Sequence, residues 1–186
     1  MINSTRNILA LSLIKGVGAG FIKKNLSLVM NYCDNVEMLA EIGGKVSLEE
    51  LNLNMDWAAK LLNEAEEAGL TVLSIVDDKY PPLLREIKDP PPVLYLKGDL
   101  SLLDRAVAII GTRNSSELGE KIANRLGKYF SQRWSVCNGL VDGIDKSTIL
   151  NQDGVVPNVL GVLSGGLNFE NTSSQNQELQ NPVKRC

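Results

Sequence analysis

Three short apolar runs, each closed by a glycine-bearing loop, constrain this chain more than any other feature. Residues 106–110 (AVAII) lead into Gly111-Thr112-Arg113, residues 135–137 (SVC) into Asn138-Gly139, and residues 159–163 (VLGVL) into Ser164-Gly165-Gly166. A continuous apolar run is what a parallel strand buried on both faces requires. Between the first two runs, residues 116–132 place Leu118, Ile122, Leu126 and Tyr129/Phe130 on one helical face, and residues 145–152 read as a second helix. This alternation predicts an α/β fold built on a doubly wound parallel sheet. Two more strand-like runs, 71–76 and 93–97, flank Tyr80-Pro81-Pro82 and Asp89-Pro90-Pro91-Pro92, which no helix interior tolerates.

The first third differs in kind. Residues 1–68 read as helical, with Gly16-Val17-Gly18 between two apolar-periodic stretches, 7–13 and 21–30. Ser47 begins a capping box before Leu51, Asp56 is placed to cap a helix through Trp57, Leu61 and Leu62, and Gly69 supplies its stop. The predicted division is therefore a helical domain over 1–68 and an α/β domain over 69–186, with a polar tail from about 168.

The loops carry the candidate chemistry. Gly111 at a strand end, the hydroxyls of Thr112 and Ser116, the fork of Arg113 and the following helix start make a phosphate site on physical grounds. A plain strand–helix turn with Ser116 as its N-cap is the equal alternative. The spacing fits neither GxGxxG nor a P-loop. Asn138, Gly139, Asp145 and Lys146 form the second loop, and Gly165 and Gly166 the third. Parallel strands end on one sheet edge, so the three loops should meet there. Gly16 and Gly18 match a helix-hairpin-helix, whose backbone N–H groups can hold a DNA phosphate; a tight turn inside a small bundle is the alternative.

Charge and composition narrow the classes. The chain has no histidine, which excludes Ser-His and Cys-His nucleophilic systems and histidine-ligated metals. Cys33, Cys137 and Cys186 form no CxxC pair and point to a reducing, cytoplasmic setting. No apolar run reaches membrane-spanning length, and no leader pattern is read. Net charge is −3, yet residues 105–146 carry seven basic side chains against four acidic ones. No catalytic set, cofactor or metal site emerges, so a non-enzyme is expected.

In this order, the Gly-Val-Gly hairpin, Tyr80-Pro81, the proline cluster, Gly111-Thr112-Arg113-x-x-Ser116-x-x-Gly119, Gly139-Leu140-x-x-Gly143-Ile144-Asp145 and Leu163-x-Gly165-Gly166 resemble the DNA-processing protein A (DprA/Smf) family. The resemblance implies a helix-hairpin-helix or SAM-like domain before a Rossmann-like one. It implies a mediator that binds single-stranded DNA without sequence preference, protects it during DNA uptake and natural transformation, and loads a RecA-type recombinase. It implies no catalysis. Its DNA pocket maps onto Gly111, Thr112 and Arg113 and onto residues 138–145. The chain departs from the family at Asn138 (Ser), Leu118 (an aromatic) and Ile149 (His), and keeps only Asn176 of a later Tyr-Pro-x-x-Asn. The family sheet continues further, so a shortened sheet with an exposed edge is expected. A homodimer fits the resemblance. A regulatory or antitoxin-like homologue paired with a cognate toxin or phage-defence protein, or a nucleotide-ligand sensor, is the alternative.

Overall fold

The computed structural model describes residues 2–44, 46–151, 154–163 and 167. Contacts divide the chain into two compact units, Met1–Leu96 and Lys97–Cys186.

The first unit is built around α1 (Ile2–Ser12), whose Ile8, Leu9, Ala10 and Leu11 are all buried. A turn at Gly16 (φ +86°) leads to α2 (Ala19–Lys24) and α3 (Leu26–Tyr32), so the expected single helix over 21–30 is broken at Asn25. Then come α4 (Val36–Glu41), with Asn35 as its side-chain cap, and a 3₁₀ turn at Ile42–Gly44. Helix α5 (Leu48–Glu67) starts on the Ser47 cap and runs unbroken through Asp56, which therefore caps nothing. Gly69 ends it at φ +68°, a conformation a glycine reaches without strain.

Strand β1 (Thr71–Ser74), helix α6 (Pro82–Glu86) and strand β2 (Val93–Leu96) complete this unit. The strands pair antiparallel, with Thr71 opposite Leu96 and Ser74 opposite Val93, and belong to no parallel sheet. The division after Leu96, rather than at 68, has a physical reason. Ile75 and Tyr80 are buried with Ile8, Leu11 and Leu51 in the helical core. The Asp77 carboxylate accepts hydrogen bonds from the Ser74 N–H (2.6 Å), the Ser74 hydroxyl (2.5 Å) and the Thr5 hydroxyl on α1 (3.0 Å). The composition shift at 68 marks a change of secondary structure, and the hairpin packs with what precedes it.

In the second unit a 3₁₀ turn (Leu100–Leu103) precedes β3 (Ala106–Ala108), α7 (Glu117–Phe130), β4 (Ser135–Asn138) and α8 (Ile144–Ile149). A two-residue hairpin, β5 (Leu150–Asn151) with β6 (Gly154–Val155), leads to β7 (Val159–Gly161). The three main strands form a parallel sheet in the order β3-β4-β7, with Val107, Val136 and Val159 in register. The α/β class with a parallel sheet and preceding helices is thus the observed one.

Two expectations change. Among the described residues strand β3 is an edge, and Ala106, Ala108 and Ile110 are exposed rather than buried on both faces. The apolar face expected to bury α7 is also exposed, with Leu118 at 67% and Tyr129 at 72% accessibility. The helix packs instead through Ala123 and Gly127. A Cβ on Gly127 would lie 1.8 Å from the Thr148 carbonyl oxygen, so only glycine permits this crossing with α8. Asn124 locks the crossing by donating to the Leu150 carbonyl (2.8 Å).

Candidate functional site

The loops after β3 and β4 meet at the carboxyl edge of the sheet, as parallel topology requires. Their glycines serve the contact between them. A Cβ on Gly111 would lie 2.6 Å from Ile144 Cγ1, so side-chain carbon, not a ligand, fills the space beside it. Gly143 sits at φ +84°, and a Cβ there would lie 2.2 Å from the Thr112 carbonyl oxygen. The Ile144 N–H donates to that same oxygen at 3.1 Å. Close backbone approach therefore fixes where Thr112 and Arg113 stand.

The second loop is braced from within. Asn138 and Asp145 are each 3% exposed. The Asp145 carboxylate accepts from the Gly139 N–H (2.9 Å), the Asn138 amide donates to the Asp145 carbonyl (3.1 Å), and its Oδ1 accepts from the Leu140 N–H (3.1 Å). These bonds hold Leu140 at φ +54°, an uncommon conformation for a leucine. Asp145 is not the cap of α8; Gly143 occupies that position. Asn138, Gly139 and Asp145 thus form the internal frame of the loop.

The surface groups differ. Thr112 Oγ1 accepts from the Asn114 N–H at 3.2 Å and closes a local turn. Ser116 caps α7 by accepting from the Gly119 N–H at 3.2 Å. Lys146 is partly exposed and lies 3.9 Å from Asp142, a weak surface pair. Arg113 is exposed, and among the described residues no acidic side chain pairs with it. Glu117 and Glu120 in the first turn of α7 offset part of the helix-terminus field. Burial raises the Cys137 thiol on β4, which keeps it a neutral packing group. Ile149, where the resembled family keeps a histidine, is buried with Val136, Leu140 and Val156. Gly165, Gly166 and Asn176 lie outside the described residues.

The helical hairpin is placed elsewhere, in the first unit. Gly16 turns the chain and Gly18 opens α2, with Val17 buried between them. The Asp89 carboxylate reaches to 3.1 Å from where a Cβ of Gly20 would stand, over the first turn of α2. Lys23 on the same helix donates to the Arg85 carbonyl at 2.6 Å. An acidic group at the hairpin and an engaged lysine favour a turn within a bundle.

Among the described residues no helix is long and apolar enough to cross a membrane, and no cluster of three or more acidic or cysteine side chains could hold a metal. Sequence spacing misplaced the apolar face of α7: Leu118, Ile122, Leu126 and Tyr129 are all exposed, and of the adjacent pair Tyr129 and Phe130 only Phe130 is half-buried. Adjacent helical positions point about 100° apart, so one of the two had to face outward.

Residues 71–185 match the family model described as DNA recombination-mediator protein A. DNA processing protein DprA of Bacillus subtilis (strain 168) is 34% identical over 110 residues, covering 58% of this chain and 37% of that protein. Protein Smf of a Synechocystis species is 30% identical over 173 residues, covering 82% of this chain and 43% of that protein. The chain therefore spans less than half the length of these two curated relatives. The crystal structure of DNA processing protein A from Streptococcus pneumoniae superposes with a TM-score of 0.75 at 26% identity, covering 98% of this chain and 64% of that one. A structure of DNA processing protein A from Helicobacter pylori, described for its unique single-stranded DNA binding mode, matches with a TM-score of 0.53 at 25% identity, over 61% of this chain and 51% of that one. With a family model matching more than half of its length and a relative aligned over most of it, the chain belongs to the DNA recombination-mediator protein A family.

Proposed function

We propose that this protein binds single-stranded DNA at the loop pair 111–116 and 138–145 and acts as a recombination mediator by holding the strand, not by catalysis. The observation that carries the reading is Arg113: an exposed guanidinium with no acidic partner among the described residues, on a backbone that Gly111, Gly143 and Ile144 fix in place. A guanidinium offers a planar two-pronged donor to a phosphate. The described single-stranded DNA binding of the Helicobacter pylori relative supports the same ligand class. Asp145, the buried acid of the site, is engaged with the Gly139 N–H and is no free acid or base. Protection of incoming strands and loading of a RecA-type recombinase in the cytoplasm are the wider roles such binding would serve.

Titration of a fluorescent oligo-dT with the wild-type chain and with Arg113→Ala tests this. The variant is expected to bind about tenfold more weakly and to lose about one unit of the log–log salt slope, with an unchanged circular dichroism spectrum. Equal affinity of the two proteins would remove the assignment.

A further inference from the structure

Helix α7 presents a row whose composition a solvated face does not explain. Lys121, Arg125 and Tyr129 follow one another at i, i+4 and i+8, so they line one side of the helix about 6 Å apart along its axis. All three are exposed, Tyr129 at 72%. Residues 121–134 contain four basic side chains and no acidic one, whereas an ordinary soluble surface intersperses both signs. The Tyr129 ring does not float freely. It meets the half-buried Phe130 edge-on, with centres 5.1 Å apart and planes at 84°. Ile122 flanks the row and is also exposed. Below it, Arg105 lies 5.4 Å from the centre of the half-exposed Trp134 ring.

The row is also placed along a path. Helix α7 starts three residues after Arg113 with its Ser116 cap and runs back across the sheet for 14 residues, about 21 Å. A strand held at Arg113 that continues along α7 meets the Lys121 and Arg125 charges and then the exposed Tyr129 ring. Glu117 stands at the upper end, 3.7 Å from Lys121, but this pair is largely exposed at the surface and contributes little.

We infer that the Lys121–Arg125–Tyr129 row is a second contact surface for single-stranded nucleic acid, taking phosphates on the two cations and a base on the tyrosine ring. It rests on the loop reading above, which supplies the anchored strand. Single-stranded nucleic acid fits better than a duplex, because stacking on an exposed ring needs an unstacked base. It fits better than a second copy of this chain, which would bring the same positive row against itself.

The test uses the full chain with Arg125→Glu, Tyr129→Ser and Tyr129→Phe, on oligo-dT of about 6 and about 20 nucleotides, lengths that bracket the usual site sizes of single-strand binders. Arg125→Glu and Tyr129→Ser are expected to weaken binding of the long strand about tenfold each while leaving the short one unchanged, and Tyr129→Phe is expected to bind like wild type. Wild-type affinity of both disruptive variants for the long strand overturns the inference. So does a loss of self-association, read by sedimentation velocity, in place of a loss of DNA affinity. Failure of the loop reading is seen separately: Arg113→Ala then binds the short strand as wild type does, while Arg125→Glu still weakens the long one. A wild-type chain that binds neither strand overturns both.

Discussion

Arg85, in the last turn of α6, and Arg113, on the loop after β3, are two arginines in opposite situations. Arg85 donates from Nε to the Ile75 carbonyl (3.0 Å) and from Nη2 to the Asp77 carbonyl (2.8 Å), and its guanidinium lies 5.5 Å from the centre of the buried Tyr80 ring. Arg113 has no such bonds among the described residues, although the backbone beneath it is just as firmly fixed. A guanidinium that donates to two backbone carbonyls of its own unit tightens the fold. One held on a rigid floor with its donors free is available to an outside acceptor.

The rigid floor is the largest expected effect. Gly143→Ala puts a methyl group where the Thr112 carbonyl stands and forces an alanine to φ +84°, so a destabilisation of about 3 kcal/mol or more is expected. Each unit holds one tryptophan, Trp57 in the first and Trp134 in the second. Urea titration in a Trp57→Phe background reports the second unit alone. A midpoint within error of the parent would show that the loops do not need their contact.

Arg85→Ala comes next. Three interactions disappear and the Ile75 and Asp77 carbonyls lose their donors, which predicts a loss of about 2–3 kcal/mol, read in a Trp134→Phe background. A change below about 0.5 kcal/mol, the range of ordinary surface substitutions, would erase the contrast with Arg113.

Tyr80→Phe probes the same latch more gently. The Tyr80 hydroxyl donates to the Pro91 carbonyl at 2.8 Å, and its loss should cost about 1 kcal/mol at neutral pH. Burial pushes the Tyr80 pKa from 10.0 up to about 12, against a smaller opposing pull from Arg85. The folded state therefore favours the protonated phenol. Its contribution is complete below pH 10 and is lost as pH rises from there through about 12. Tyr80→Phe should lack this part of the alkaline loss of stability. Parallel pH curves for the two proteins between 10 and 12 would contradict the assignment.

What the residues disclosed follows the same physics. Strands β3, β4 and β7 were legible because apolar runs bounded by glycine have few other uses, and the loops at their ends then had to meet. The buried face of α7 was not legible. Periodicity weighs large side chains, whereas this helix packs by its small ones, Ala123 and Gly127, against the α8 backbone. The residue types of the second loop were visible, but not that Asn138 and Asp145 point inward, because spacing does not reveal which way a carboxylate folds back. The Asp77–Thr5 bond was also out of reach, since it joins residues 72 positions apart.

The smallest expected effect is the stability of Arg113→Ala, and it decides what the comparison means. A side chain with no acidic partner among the described residues should change stability by less than about 0.5 kcal/mol. The same substitution should weaken oligo-dT binding about tenfold. Measured in the Trp57→Phe background, an unchanged urea midpoint beside a lost salt slope separates an arginine kept for a ligand from one kept for the fold. If the midpoint falls as far as it does for Arg85→Ala, Arg113 braces the loop pair like the other glycine-framed groups, and the positive charge that attracts DNA must lie elsewhere on the second unit.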